Sequence, residues 1–156
     1  MSDHQQFCTF FLKDLIFGVE VLKIQEVIRY QEMTPVPLAP AMVNGLINLR
    51  GQIVTAIDLR NRLAMPPLPE GELPMNVVIR TEDGAVSLLV DEIGDVVEID
   101  SAGFEPPPET LRGIARELVD GVYKLKSGLL LILNTAKTVN FTAASVADPS
   151  APQQAA

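Results

Sequence analysis

Short runs of apolar, β-branched and aromatic residues, separated by turn residues, recur along the chain and predict β-strands. The runs in the first half are FCTFFL (7–12), IFGVEV (16–21), LKIQEVIRY (22–30), LINL (46–49) and IVTAI (53–57). Residues 7–12 and 16–21 are spaced as a hairpin, and Arg50-Gly51-Gln52 is the predicted turn of a second one. The first half is therefore predicted to be mostly strands.

The second half repeats this plan. Its strand-like runs are NVVIRT (76–81), AVSLLV (85–90), VVEI (96–99), GVYKL (121–125) and LLLIL (129–133). Prolines at 35, 37 and 40, and again at 106–108, lack a backbone donor, so both segments are predicted loops. MPPLPEGELP (65–74) is predicted to link the halves, and the small, polar residues 143–156 are predicted to be a disordered tail.

The two halves also match position by position. An offset of 76 gives the pairs Gly45 with Gly121, Ile47 with Tyr123, Arg50 with Lys126, Ile53 with Leu129 and Asp58 with Asn134. An offset of 69 places Ile24 on Ile93 and Glu26 on Asp95. Asp58 and Asn134 are both predicted to cap short helices, over 59–64 and 135–141. The alternative is that any two hairpins followed by a capped helix look alike.

A real repeat implies two small barrels of roughly five strands each, since neither half alone reaches a comfortable domain size. Strand 7–12 has apolar residues on both faces, with Phe7 and Phe11 on one and Cys8, Phe10 and Leu12 on the other. A strand buried on both faces indicates a core shared between the barrels. The predicted fold class is all-β, with a first barrel over about 14–64, a second over about 75–142, and an N-terminal strand that both can share.

Charge and composition exclude several partners. The chain has 12 Lys and Arg against 20 Asp and Glu, a net charge of −8, and no basic cluster, so no nucleic acid partner is expected. The longest aliphatic run, 129–133, is too short to span a bilayer, and the N-terminus lacks the pattern of a secretory signal. The single cysteine fits a reducing cytosol, so we expect a cytoplasmic protein without direct membrane insertion.

No set of residues predicts catalysis. His4, the only histidine, lies in the polar N-terminal segment, and Cys8 lies among phenylalanines with no base beside it. The chain has no phosphate-binding glycine loop and no Cys/His cluster, so neither a cofactor nor a metal is expected. Asp91, Glu92 and Asp95 match no cation-binding loop and are predicted to form a solvated turn. A binding module is therefore predicted, not an enzyme.

GLINLRGQIVTAIDLRNRL (45–63) resembles the signature of the CheW family of bacterial chemotaxis adaptors. VLKIQEVI (21–28), VDEIGDVVEI (90–99) and LVDGVY (118–123) resemble further elements of that family in the same order. The resemblance covers about residues 6–142, which are expected to form one CheW-like domain. One departure is Thr55-Ala56, where the family usually has a proline, and this should alter local backbone freedom more than function.

This resemblance implies two intertwined five-stranded SH3-like barrels and no catalytic activity. It implies an adaptor that couples the cytoplasmic tip of methyl-accepting chemoreceptors to the regulatory domain of the histidine kinase CheA, in arrays that can include further CheW copies. Two alternatives stay open. One is an adaptor of a non-flagellar array that controls pili or a second messenger, and the other is a β-barrel that binds a small ligand.

The resemblance also implies a receptor- and kinase-binding site. The positions that match the family's contact residues are Ile24, Glu26, Gly45, Arg50, Ile53 and Val78. The apolar members would bind the apolar stripe of a receptor helix, while Glu26 and Arg50 would set its orientation. Gly45 has the alternative role of ending the preceding turn at positive φ, and Ile24 and Ile53 have that of simple core residues. Arg60 and Arg62 are expected to lie on an ordinary helix surface.

Overall fold

The computed structural model describes residues 4–82 and 84–140, which contain ten strands and three short helices. The strands are β1 (His4–Leu12), β2 (Leu15–Glu20), β3 (Ile24–Ile28), β4 (Val43–Leu49), β5 (Gln52–Asp58), β6 (Met75–Thr81), β7 (Gly84–Val90), β8 (Glu92–Asp100), β9 (Val119–Leu125) and β10 (Gly128–Leu133). The helices are α1 (Leu59–Arg62), α2 (Ile114–Leu118) and α3 (Thr135–Val139), with 3₁₀ turns at Val21–Lys23 and Ser101–Gly103. The predicted all-β class is confirmed.

The strands form two five-stranded sheets. Sheet 1 has the order β8-β1-β2-β10-β9, and sheet 2 has the order β3-β6-β7-β5-β4. In each sheet one pair is parallel, β2 with β10 and β5 with β7, while the other pairs are antiparallel. The two sheets therefore share one topology.

Each sheet takes strands from both halves of the chain. The hairpin β1–β2 joins β8, β9 and β10, while the hairpin β6–β7 joins β3, β4 and β5. The barrels are thus intertwined through an exchange of N-terminal hairpins. The expected division into barrels over 14–64 and 75–142 is wrong in strand membership, because the pairing partners of β1–β2 and β6–β7 lie in the opposite half.

The pairing register follows the offsets found in the sequence. Phe17 of β2 pairs with Leu131 of β10, and the positions 69 and 76 residues away, Val86 and Thr55, also pair with each other. Phe10 pairs with Ile93, and its counterpart Ile79 pairs with Ile24. A chance likeness between hairpins would not reproduce the register between strands that are distant in sequence. The internal repeat is therefore a property of the fold.

The core has three parts. The largest lies between the sheets and includes Phe10, Phe17 and Leu88, with the rings of Phe10 and Phe17 stacked at a centroid separation of 5.8 Å. Separate clusters line sheet 1, around Phe7 and Tyr123, and sheet 2, around Ile47, Leu49, Val54 and Val78. Strand β1 contributes Phe7 to one cluster and Phe10 to another, as its apolar residues on both faces predicted.

The predicted helix caps are confirmed. The Asn61 N–H donates to Asp58 Oδ1 at 3.3 Å, and the Lys137 N–H donates to Asn134 Oδ1 at 2.9 Å. Both helices are shorter than predicted. The sequence patterns missed α2, a helix of five residues that follows Gly113 in the second proline-rich segment.

The loops and ends complete the chain. Residues 65–74 contain neither helix nor strand, as expected of a linker. His4 begins β1, opposite Asp100, so the expectation that it lies in a polar tail is wrong. The predicted tail at 143–156 falls outside the described residues. Within the part of the chain that the structure describes, no helix is long and apolar enough to cross a bilayer.

Candidate functional site

Arg50 occupies the tip of the hairpin between β4 and β5. Leu49 pairs with Gln52, so the loop contains only Arg50 (φ 50°) and Gly51 (φ 89°). Positive φ at both central residues defines a type I′ turn, whose twist matches that of the flanking strands. Asn48 stabilises the turn, since its Oδ1 accepts a hydrogen bond of 2.9 Å from the Gly51 N–H. The turn therefore holds a basic side chain at a fixed point of the surface.

Arg50 also forms an ion pair with Glu26. The Arg50 Nη2 donates to the Glu26 Oε2, and the Arg50 side chain is 76% exposed whereas that of Glu26 is 18% exposed. Glu26 lies on β3 and Arg50 directly follows β4, and these two strands are the opposite edges of sheet 2. The ion pair thus connects the two edge strands of sheet 2 through side chains.

Ile53 and Ile24 lie in different environments. Ile53, on β5 opposite Asn48, is 60% exposed and presents a large apolar side chain near the tip of the hairpin. Ile24, on β3, is half-buried and packs against the core between the sheets. Ile53 is therefore a surface residue, whereas Ile24 contributes to the core with part of its side chain. We call Glu26, Arg50 and Ile53 the tip surface.

Val78 does not belong to this surface. Its side chain is fully buried in the cluster that lines sheet 2, and its backbone pairs with Glu26. The expectation that Val78 contacts a receptor helix is therefore corrected: a buried side chain cannot make that contact, although it supports the strand that carries Glu26. The sequence pattern misled because sheet 2 is apolar on both faces.

Gly45 is required by packing. Its φ is not positive, which corrects the alternative that it ends a turn in the left-handed region. A Cβ at this position would lie 2.8 Å from the Thr34 carbonyl oxygen and 3.0 Å from the Met33 Cβ. The proline-rich loop crosses here, since Thr34 and Leu46 exchange backbone hydrogen bonds of 2.9 and 2.8 Å. A side chain at 45 would displace this loop.

Gly121 repeats this arrangement in sheet 1. A Cβ there would lie 2.5 Å from the Glu105 carbonyl oxygen and would also contact the Phe104 ring. Glu105 and Val122 exchange backbone hydrogen bonds of 2.9 and 2.7 Å, as Thr34 and Leu46 do in the first half. The two glycines are therefore equivalent parts of the repeated fold, and Gly45 by itself does not indicate a binding site.

Arg60 and Asp91 form a buried ion pair that the sequence analysis did not anticipate. The Arg60 Nε and Nη2 donate to Asp91 Oδ1 and Oδ2 at 2.8 and 2.6 Å, and the side chains are 9% and 12% exposed. The Arg60 Nη1 donates to the carbonyl oxygens of Pro66 and Pro67. Arg60 is thus not an ordinary helix-surface residue, and Asp91 is not part of a solvated turn.

This pairing sets the ionisation of both groups. Burial alone would raise the pKa of Asp91, but hydrogen bonds from Arg60 and from the Lys13 N–H, with the charge of Arg60, outweigh it and hold the pKa below its ordinary value. The hydrogen bond to Asp91 raises the pKa of Arg60. Both groups therefore stay charged at neutral pH.

Arg62 also lies between the two halves. Its Nε donates to the Thr138 carbonyl oxygen at 2.9 Å, and its Nη2 donates to the Lys137 carbonyl oxygen at 3.0 Å. These carbonyls belong to α3, so Arg62 connects α1 to the equivalent helix of the second repeat. The expectation of an ordinary surface residue is corrected for Arg62 as well.

Groups that could support catalysis are not assembled in the described residues. Cys8 is buried, and burial raises the pKa of its thiol, which disfavours the reactive thiolate. No three His, Cys, Asp or Glu side chains among residues 4–82 and 84–140 are grouped to hold a metal ion. The tip surface can bind a partner through one arginine, one carboxylate and one apolar side chain.

Two further residues support the tip surface and were not predicted from the sequence. Asn48 was not singled out, although Asn at the start of a tight turn is a known signal for a side chain that bonds to the backbone of the turn. Arg80 on β6 donates through Nη1 to the carbonyl oxygens of Leu22 and Ile24, at 3.2 and 2.7 Å, and so holds the start of β3. No local pattern marks Arg80, because its acceptors are backbone atoms distant in sequence.

The two five-stranded sheets exchange hairpins, and one of them exposes the tip surface. These features define a class of β-sheet interaction module. The chain belongs to the CheW family, because residues 6–142 match the CheW-like domain model. This range coincides with the predicted domain, and a role in chemotaxis as an adaptor or scaffold follows from membership.

Individual relatives agree with this assignment. The chain is 30% identical over 142 residues to the chemotaxis protein CheW of Treponema pallidum, covering 88% of this chain and 84% of that one. It is 29% identical over 136 residues to that of Klebsiella aerogenes, covering 87% and 82%. The crystal structure of the scaffolding protein TtCheW from Thermoanaerobacter tengcongensis superposes with a TM-score of 0.76 at 26% identity, covering 84% of this chain and 89% of that one.

Proposed function

We propose that the chain is a non-enzymatic cytoplasmic adaptor that couples methyl-accepting chemoreceptors to the histidine kinase CheA. The observation that carries this proposal is the ion pair between Glu26 and Arg50, at the tip of a hairpin that also exposes Ile53. The family resemblance assigns all three residues to partner contacts, and Ile53 lies three residues after Arg50 in the same hairpin. The family assignment supports the general partners, and the tip surface supplies the chemistry that would contact them.

The tip surface suits recognition of a helix. Ile53 offers apolar area to one side chain of an amphipathic helix, and full burial of such a side chain contributes roughly 1.5–3 kcal/mol. Within the described residues, Arg50 uses only Nη2, toward Glu26, so Nε and Nη1 remain able to donate to a partner. The ion pair also restrains the long Arg50 side chain, which reduces the entropy lost on binding.

Binding to the purified CheA regulatory domain and to a receptor-tip fragment tests the proposal. We expect both to bind, and we expect the amide chemical shifts of Glu26, Arg50 and Ile53 to change during titration with the receptor fragment. A matched control is available in Lys126, the repeat equivalent of Arg50. Arg50→Asn should weaken receptor binding while Lys126→Asn should not. Shift changes confined to sheet 1 would contradict the assignment of the tip surface.

A competing function is binding of a small ligand. A cavity of about 170 Å³ opens in sheet 1, with Phe7, Phe104, Tyr123, Ile132 and Leu133 as apolar lining and Gln5, Glu20, Lys23 and Asp120 as polar lining. The same binding experiment separates the two functions. An adaptor binds CheA in the absence of any added ligand, whereas a ligand-binding barrel without an adaptor role binds neither CheA nor the receptor fragment.

A further inference from the structure

The two sheets are connected by two chain crossovers that differ in how they are held. The first crossover runs from β2 to β3 through Val21–Lys23, and the second runs from β7 to β8 through Asp91 alone. Leu22, the repeat equivalent of Asp91, is 89% exposed and has no charged group, and Arg80 holds only the backbone around it. The ion pair of the first crossover, between Lys23 and Glu20 at 3.7 Å, is exposed and local, whereas the second crossover carries a largely buried pair between Asp91 and the distant Arg60.

Asp91 receives hydrogen bonds from both sides of the crossover. Its Oδ2 accepts from the Lys13 N–H at 2.7 Å, in the turn of the β1–β2 hairpin of sheet 1. Both of its carboxylate oxygens accept from Arg60, on the helix that directly follows β5 of sheet 2. A single buried carboxylate therefore joins a hairpin of one sheet to a helix of the other. We call Lys13, Arg60 and Asp91 the crossover clasp.

This contact is directional, unlike the apolar core around it. Apolar burial favours contact between the two sheets but is largely indifferent to small rotations, because the hydrophobic effect is non-directional. A bidentate pairing of arginine with a carboxylate fixes an angle as well as a distance. Arg60 is itself held by the carbonyl oxygens of Pro66 and Pro67, so its guanidinium is restrained on two sides.

We infer that Asp91 is a positioning residue: the crossover clasp fixes the orientation of sheet 2, which carries the tip surface, relative to sheet 1. Ile53 of the tip surface lies on β5, the strand that leads into the helix bearing Arg60, and Arg50 lies in the turn just before that strand. A partner that contacts both sheets would then require the clasp, although none of its residues belongs to the tip surface.

The distance between spin labels tests this inference without any partner. One label is placed at Glu82, in the β6–β7 turn of sheet 2, and one at Ser127, in the β9–β10 turn of sheet 1, both exposed, with the buried Cys8 replaced by alanine. Double electron–electron resonance should give a broader or shifted distance distribution for Asp91→Asn, because asparagine offers only one acceptor oxygen to three donors.

Ser87→Ala is the matched control. Ser87 donates a buried hydrogen bond of 2.6 Å to Asn76 Oδ1, and both residues lie within sheet 2. Its loss should lower stability yet leave the distance distribution unchanged. A distribution for Asp91→Asn that equals that of Ser87→Ala would overturn the inference. Should Asp91→Asn not fold, Arg60→Lys, which removes the bidentate contact but keeps the charge, is measured in the same way and must broaden or shift the distribution.

A second measurement rests on the proposed function. Asp91→Asn should weaken binding to a receptor fragment that contacts both sheets by about tenfold, while Ser87→Ala should bind as the parent does. If the parent protein fails to bind, the proposed function fails and the distance measurement still decides the positioning role. If the parent binds and Asp91→Asn binds equally well, the clasp has no role in recognition.

Discussion

The side chains of Arg50 and Glu26 form an ion pair that joins the two edges of sheet 2 at the exposed tip of a hairpin. Ile53, three residues after Arg50 in the same hairpin, has a largely exposed side chain. One contact therefore combines a structural role, a side-chain link between the two edge strands, with the presentation of a basic group to solvent. Substitutions that separate these two roles give the clearest predictions.

The effect of replacing Arg50 on stability should depend on how well the new residue tolerates positive φ. Arg50→Asn should change the free energy of unfolding by less than about 1 kcal/mol, because asparagine tolerates positive φ and an exposed ion pair contributes little. Arg50→Ala should be less stable than Arg50→Asn by roughly 1 kcal/mol, since alanine is disfavoured at positive φ. Urea denaturation measures both, and equal stability of the two variants would contradict the type I′ turn.

Gly45→Ala and Gly121→Ala should both be destabilised, and Gly121→Ala should be the less stable because its Cβ would also overlap the Phe104 ring. At each position the new Cβ meets a carbonyl oxygen of the crossing loop, and forced overpacking costs typically about 1–3 kcal/mol. Thermal unfolding of the two variants measures the effect, with Gly103→Ala as a control, since a Cβ at 103 would lie at ordinary contact distances of 3.5 and 3.7 Å from the Tyr123 ring. A Gly45→Ala variant as stable as the parent would contradict this prediction, because the loop at Thr34 would then move aside without any loss of stability.

Val78 and Ile53 should respond in opposite ways to truncation. Val78→Ala should lose about 1–3 kcal/mol of stability, because it leaves a space in the cluster that lines sheet 2. Ile53→Ala should change stability by no more than about 0.5 kcal/mol, as an exposed position does, yet weaken receptor binding. Denaturation and binding measured on both variants separate core from contact. A destabilised Ile53→Ala would place that residue in the core instead.

The crossover clasp should make stability depend on acid pH. The pKa of Asp91 is lowered in the folded state, so its contribution is present above the ordinary carboxylate pKa of about 3.9 and is lost as pH falls through the lowered value. Asp91→Asn should be less stable than the parent at pH 7, and this difference should shrink toward acid pH. Chemical denaturation across pH 2–7 (roughly the range over which carboxylates titrate) measures it, and a difference that is constant with pH would contradict the linkage.

Sequence patterns were sufficient for the strands, the helix caps and the repeat, because each depends on residues close together or at a fixed offset. They were not sufficient for the exchange of hairpins, because the apolar pattern of β1 does not specify which strand it pairs with. They also misplaced Val78, since alternation cannot distinguish the two faces of a sheet that is apolar on both.

The charged contacts could not be predicted from the sequence, because the residues that form them are far apart along the chain. Glu26 and Arg50 were selected separately through the family resemblance, and only the fold brings them together. Arg60 and Asp91 are 31 residues apart, and Arg62 is 76 residues from its acceptor at Thr138. Each looked like a solvated surface residue in its local context, because burial of a charge is decided by tertiary packing and not by neighbouring residues.

Kinase activity in reconstituted arrays of receptor, CheA and this chain tests the central claim most directly. Arg50→Asn, which keeps the turn but removes the charge, is compared with Lys126→Asn at the equivalent turn of the repeat. The account predicts that Arg50→Asn is folded and impairs activation of the kinase, while Lys126→Asn supports activation as the parent does. Full activation with Arg50→Asn would contradict the assignment of the tip surface as the coupling site.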